Sequence, residues 1–248
     1  VNALPADVAE GLRSVARTPR LLIASDFDGT LAPIVNHPGD ARPLPAAAAA
    51  LRALADLPGT TAALISGRAL RDLAVLSGLS APVHLVGSHG AEFDTGFAHE
   101  IDTALLARIT EELTAIADGR PGVTVETKPA SVALHVRNAS PDDGEVALAA
   151  ARTAAENWDA HATAGKAVLE FAVITTDKGE AIDILRERDD ASAVVFFGDD
   201  VTDEKAFRRM RDGDVGVKVG DGDTLATYRV RSPEDVAAAL EFLLAERA

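Results

Sequence analysis

A chain of 248 residues, 47% hydrophobic but only 4% aromatic, can bury a large core, and that core must be built mostly from Ala, Val, Leu and Ile. It contains no cysteine, which excludes disulfides, thiolate metal sites and a cysteine nucleophile. Lys and Arg total 24 against 39 Asp and Glu, a formal charge of −15; this argues against nucleic-acid binding, and an anionic ligand would need a local positive cluster or a cation.

Residues 5–18 carry Val8, Leu12 and Val15 at helical spacing. Leu21-Leu22-Ile23-Ala24 is a short apolar run, expected as a buried strand of a parallel sheet. It leads into Ser25-Asp26-Phe27-Asp28-Gly29-Thr30, with two carboxylates one residue apart. Open α/β sheets bind ligands beyond the carboxyl ends of their strands, so chemistry is expected here. Asp26 can act as a nucleophile that becomes an aspartyl-phosphate. Asp28, held partly protonated by its negative neighbour, can serve as the general acid/base. The alternative is an ordinary turn, where Asp, Gly and Thr are common. Prolines at 33, 38, 43 and 45 mark a loop. A helix over 46–57 and a strand over 61–65 follow, the strand ending in Ser66-Gly67-Arg68. A helix over 68–77 and a strand over 83–87 come next, closed by Ser88-His89-Gly90-Ala91-Glu92. This alternation is the signature of a Rossmann-like, doubly wound parallel sheet.

The pattern then changes. Residues 99–118 read as an amphipathic helix with Ile101, Leu105, Ile109, Leu113 and Ile116 inward. Strands are expected at 122–128 and 131–137, a helix from Ser140-Pro141 to about 156, and strands at 159–163 and 166–172. Period-2 alternation gives each of three strands an apolar and a charged face. Val123 and Val125 oppose Glu126 and Lys128. Val132, Leu134 and Val136 oppose His135 and Arg137. Ala167, Leu169 and Phe171 oppose Lys166 and Glu170. The plain reading is a half-buried sheet with its outer face in water. The expected organisation is a core of residues 1–94 and 174–248 with an inserted α+β cap domain at 95–173.

The parallel pattern returns near 175. Asp177-Lys178-Gly179-Glu180 is a capped helix start. A buried strand over 193–197 ends in Gly198-Asp199-Asp200-Val201-Thr202-Asp203-Glu204, whose three carboxylates need a cation or protons. Short strands at 215–219 and 227–230 precede a helix capped at Ser232 and carrying Val236, Leu240 and Leu243. Ser66 can offer its hydroxyl and Gly67 its amide to a phosphate, although a serine is also a common helix cap. Lys178, at a helix start, would favour a phosphate facing it, although a lysine there is more often solvated. No apolar run reaches the ~18 residues of a membrane span and no signal peptide is visible. A cytoplasmic, monomeric protein without membrane or nucleic-acid partners is expected.

Asp26-x-Asp28-x-Thr30, Ser66, Lys178 and Gly198-Asp199-Asp200-x-x-Asp203, in this order and at these strand ends, resemble the haloacid dehalogenase superfamily of aspartyl-phosphate phosphatases. With Ser66-Gly67-Arg68 and Gly87-Ser88-His89-Gly90-Ala91-Glu92, the chain from about Leu21 to Val236 looks like the trehalose-6-phosphate phosphatases. The resemblance implies Asp26 as nucleophile, Asp28 as general acid/base and Thr30 as the residue that orients Asp28. It implies Mg²⁺ held by Asp26, the Asp28 main-chain carbonyl and Asp199, with Asp203 close by. It gives Ser66, Gly67 and Lys178 to the phosphate, and Glu126, Lys128, Arg137, Lys166 and Glu170 to the disaccharide. One departure is that Glu170 is followed by Phe171-Ala172-Val173, where that family commonly has Arg-Pro. A phosphatase for another sugar phosphate or a phosphoglycerate-type ester, a phosphate-storing signalling module, and a non-catalytic member of the fold are the competing readings.

Overall fold

The computed structural model describes residues 3–248. The chain divides into two compact units, Val1–Gly96 with Thr176–Ala248, and Phe97–Thr175. The first unit opens with α1 (Ala6–Val15), β1 (Leu21–Ser25), α2 (Pro45–Ala55), β2 (Thr60–Ile65), α3 (Leu70–Ser77) and β3 (His84–Val86). Two-residue strands β4 (Glu92–Phe93) and β5 (Gly96–Phe97) form a separate pair. Then come α4 (Thr103–Ala117), β6 (Thr124–Thr127), β7 (Ser131–His135), α5 (Pro141–Ala155), β8 (His161–Gly165) and β9 (Val168–Ala172). The chain ends with α6 (Lys178–Arg188), β10 (Ala193–Gly198), α7 (Glu204–Arg208), β11 (Val215–Val219), β12 (Tyr228–Val230) and α8 (Pro233–Arg247).

The six long strands of the first unit form one parallel sheet in the order β12-β11-β10-β1-β2-β3. Every residue of β1 and β10 is buried, as continuous apolar runs covered on both faces require. Leu21, Ile23 and Leu64 point to one side with Val8, Leu12, Leu51, Leu54, Leu240 and Leu243 from α1, α2 and α8. Phe196 points to the other and meets Phe207 of α7 edge-on, ring centroids 5.5 Å apart. Strand order runs outward in both directions from β1, so the switch point lies at the carboxyl end of β1, beside β10 and β2.

The second unit has a four-stranded antiparallel sheet, β6-β7-β9-β8. Its apolar face, with Val132, Leu134, Leu169 and Phe171, packs against Ile109 and Leu113 of α4 and Ala147 and Ala151 of α5. Trp158 meets Phe171 edge-on at 5.0 Å. Register aligns Glu126, Ala133, Glu170 and Thr163 in one row across the opposite face.

Several boundaries differ from expectation. The helix read at 99–118 starts at Thr103, because the Asp102 side chain accepts the Leu105 amide and caps it there; Ile101 lies ahead of the helix. The strands read at 159–163 and 166–172 are shifted, because β8 is exposed at all five residues and carries no alternation to read. Ser232 occupies the cap position of α8 without a side-chain bond; the Asp235 carboxylate instead accepts the Arg231 amide. Among the described residues no helix is long and apolar enough to cross a membrane.

Candidate active site

Beyond β1 the Asp26 amide still donates to the Phe197 carbonyl, at 2.9 Å, which sets its carboxylate at the switch point. Asp177 caps α6 by accepting the Glu180 amide, and the first helical residue, Lys178, turns inward. Its ammonium donates to Asp26 Oδ1 at 2.8 Å and to Asp203 Oδ1 at 2.7 Å, and all three side chains are buried. Asp203 Oδ2 accepts the amides of Asp199 and Asp200, both at 3.0 Å, so this carboxylate fixes the turn that carries Asp199. Asp26, Asp199 and Asp203 each bring a carboxylate oxygen within 4.8 Å of the others. The Asp200 carboxylate accepts the Val201 amide at 2.7 Å and is exposed, outside the cluster.

Burial pushes Asp26 up to about 6 against the pull of Lys178. Burial, with the Asp26 charge, does the same to Asp203, also to about 6. Asp199 is raised as well, again chiefly by burial. Burial pulls Lys178 down, but the charges of Asp26 and Asp203 outweigh it and hold the ammonium above its ordinary range. One lysine cannot neutralise three carboxylates, and an all-oxygen set of this kind fits a hard divalent cation.

Asp28 departs from expectation. Its carboxylate is gripped by Arg68, with Nε on Oδ2 and Nη2 on Oδ1, both at 2.7 Å. Arg68 Nη2 also donates to the Pro38 carbonyl at 2.8 Å. A positive neighbour, not a negative one, thus sets the surroundings of Asp28. Thr30 does not orient Asp28 either; its buried hydroxyl donates to Asp199 Oδ1 at 3.1 Å. Gly29 makes this approach possible. Its φ is +80°, and a Cβ there would sit 2.1 Å from Asp199 Oδ2. Ser66, buried at the carboxyl end of β2, is not the cap of α3. Its Oγ accepts the Arg68 amide at 3.1 Å, leaving the hydroxyl proton free to donate.

Sequence reading missed Arg68 as a side-chain partner and missed Lys218 entirely. Lys218 lies on β11, only 5% exposed, and its ammonium donates to the Asp199 main-chain carbonyl. The signal was present: a lysine inside the otherwise apolar run Val215-Gly216-Val217-Lys218-Val219 needs a buried acceptor.

In the second unit, Lys128 Nζ donates to Glu170 Oε2 at 3.0 Å and Ser131 Oγ to Glu170 Oε1 at 2.6 Å. His135 Nε2 lies 2.7 Å from Glu126 Oε2. Lys166 is not on a strand; it sits exposed in the turn between β8 and β9, next to Ala167 at φ +60°. Arg137 is exposed in the turn after β7, which ends at His135.

An aspartate at the switch point of such a sheet, held by a lysine from the helix that re-enters it, defines the haloacid dehalogenase class of fold. Residues 24–234 match the trehalose-phosphatase family pattern. The chain belongs to the trehalose-phosphatase family. It is 39% identical over 243 residues to the trehalose-phosphate phosphatase of Mycolicibacterium paratuberculosis, covering 88% of this chain and 59% of that protein. The protein of the same name from Mycobacterium marinum is 37% identical, over 88% of this chain and 60% of its own length. The chain thus spans less than two thirds of these curated relatives. Among solved structures, the C-terminal domain of Candida albicans trehalose-6-phosphate phosphatase aligns with a TM-score of 0.76 at 24% identity, over 98% of both chains. The Aspergillus fumigatus trehalose-6-phosphate phosphatase aligns at 0.72 and 26% identity, over 98% of this chain and 99% of that one.

Proposed function

We propose that this chain is a Mg²⁺-dependent phosphomonoesterase that hydrolyses trehalose 6-phosphate to trehalose and phosphate. The observation that carries this reading is the convergence of Asp26, Lys178, Asp199 and Asp203 at the switch point. An Asp26 carboxylate oxygen attacks phosphorus and the bond from phosphorus to the sugar oxygen breaks; Asp28, released from the Arg68 fork and carrying a proton taken from solvent, gives that proton to the departing alkoxide. Asp28 then takes a proton from water, which attacks the aspartyl-phosphate, releases phosphate and restores Asp26. The Ser66 hydroxyl, the Gly67 amide and Lys178 hold phosphate oxygens through this exchange. Asp26, Asp199 and the Asp28 main-chain carbonyl are the groups that would hold Mg²⁺, with Asp203 fixing the Asp199 turn. Mg²⁺, when bound, supplies charge neutralisation where carboxylates and a phosphate dianion meet.

The second unit is read as a cap that selects the sugar. Glu126 and Glu170 on one face of its sheet, with Lys128 just beyond β6 and paired to Glu170, offer both donors and acceptors, as sugar hydroxyls require. Phosphate release measured across a panel of sugar phosphates, with Mg²⁺ and with EDTA, tests the whole reading. Mg²⁺-dependent turnover greatest on trehalose 6-phosphate is expected. Preference for a different ester would favour the second reading, another sugar phosphate or a phosphoglycerate-type substrate, for which the Phe171-Ala172-Val173 departure speaks. No release from any ester would remove the phosphatase assignment.

A further inference from the structure

Ser88 and His89 are consecutive residues at φ 49° and 55°, a left-handed conformation that non-glycine residues rarely adopt even singly. Their amides explain what the conformation achieves. In a strand, successive N–H groups point to opposite sides, whereas a local helical turn aims them the same way. Here both aim at one loop: Ser88 N donates to the Arg68 carbonyl at 2.7 Å and His89 N to the Ser66 carbonyl at 2.9 Å. The turn is closed behind them by Gly87 and Glu92, whose backbones pair at 2.9 and 3.2 Å. The Glu92 side chain adds two ties, its Oε2 accepting the Leu70 amide at 2.9 Å and the Ser88 hydroxyl at 2.7 Å. The His89 imidazole lies against Gly67, where an added Cβ would stand 2.4 Å from its Cε1. Gly90 meets the Asp177 carbonyl just as closely, at 2.5 Å from an added Cβ. One strained turn therefore touches both the Ser66 loop and the residue that precedes Lys178.

We propose that residues 87–92 form a clasp that seats the loop from Ser66 to Arg68, with His89 and Glu92 as positioning residues. This deepens, and rests on, the reading of Ser66 and Gly67 as phosphate-handling groups and of Asp28, held by Arg68, as the acid. Unfavourable backbone conformations persist where surrounding contacts over-determine them, and eight hydrogen bonds within 87–92 or between it and 66–70 do so here. A clasp of this kind fixes where the Ser66 hydroxyl and the Gly67 amide point without contacting substrate.

His89→Gly separates positioning from folding, because glycine adopts φ 55° freely while the imidazole over Gly67 is lost. It should still fold, with the circular dichroism and cooperative unfolding of the wild type. Its kcat/KM should fall about 10- to 100-fold, equally on trehalose 6-phosphate and on a small aryl phosphate, because small misplacements of binding groups cost on this order. Competitive inhibition by inorganic phosphate should weaken in parallel, and amide hydrogen exchange at Arg68 should quicken. Glu92→Ala should act in the same direction. Gly67→Ala should be damaging beside His89 but add little in the His89→Gly background. Wild-type kcat/KM and phosphate inhibition in His89→Gly would overturn the clasp, as would a loss confined to the sugar substrate, which would make His89 a sugar contact. A wild-type protein that releases no phosphate from any ester would instead overturn the functional reading, and unchanged exchange at Arg68 in both variants would still refute the clasp.

Discussion

Arg68 holds Asp28 by both carboxylate oxygens, each at 2.7 Å. The fork fits a carboxylate, and a proton donor must release at least one of these bonds before it can serve a leaving group. The same arginine lies 5.8 Å from the centroid of the Phe27 ring and is tied to the Pro38 carbonyl, so it anchors Asp28 to the loop that follows β1. Asp28→Asn should therefore lower kcat/KM for a sugar phosphate by about 10²- to 10⁴-fold, the usual worth of a general acid. A phenolic ester, whose leaving group needs no proton, should lose far less. Equal losses on both esters would mean that Asp28 is not the acid.

Asp26→Asn should abolish turnover, because an amide cannot form the acyl-phosphate, leaving only what binding alone supplies. The fold should survive. Asparagine can still accept from Lys178, and it removes a carboxylate that burial disfavours enough to raise it to about 6. The expected result is a metal-free melting temperature no lower than that of the wild type, with phosphate release at background. Near wild-type release would refute the nucleophile.

The metal-free stability should depend on pH in a defined direction. Asp26 and Asp203 are both raised to about 6, so the native state binds more protons than the unfolded chain between about 4 and 6. A raised carboxyl contributes stability below its unfolded value and loses it as pH climbs through the folded value. Lys178 is charged throughout this window and does not reverse the sign. A divalent cation, which competes with those protons, should then stabilise more at pH 7.5 than at pH 5. Scanning calorimetry with Mg²⁺ and with EDTA at both values measures this. A Mg²⁺-induced shift in melting temperature independent of pH would contradict the carboxylate cluster as its site.

Much of the core was legible because a parallel strand is a short apolar run and its carboxyl end announces itself by a change to polar residues. Asp26, Ser66 and Asp199 each follow such a run. Lys178 was legible through its helix cap. Side-chain pairing across elements was not. Thr30 reaches Asp199 across 169 positions and Arg68 reaches Asp28 across 40, and no local pattern encodes either. In the second unit the alternation of β7 and β9 located the apolar face, but it also extended the strands too far. Lys128, Arg137 and Lys166 were placed on the sheet, whereas β6 ends at Thr127, β7 ends at His135 and β9 starts only at Val168. The pair β4 and β5 was invisible because two residues have no period.

The last prediction concerns the face of the second sheet. Glu170 sits in the same row as Glu126 and is held by Lys128 and by Ser131, which is 7% exposed. A carboxylate so fixed is pre-organised for an incoming hydroxyl, because its rotamer needs no reordering on binding. Reading this face as the sugar selector assigns it contacts remote from the reacting phosphorus. Their binding energy should appear in kcat/KM for the disaccharide phosphate and hardly at all for a small aryl phosphate. Glu170→Ala or Lys128→Ala should cost roughly 10- to 1000-fold on trehalose 6-phosphate, the equivalent of ~1–4 kcal/mol for charged hydrogen bonds lost from a closed site. Ser131→Ala, which only loosens Glu170, should cost less than either. All three should stay within a few-fold of wild type on the aryl ester. Parallel losses on both substrates, with circular dichroism unchanged, would show that these residues support the chemistry or the fold and do not select the sugar.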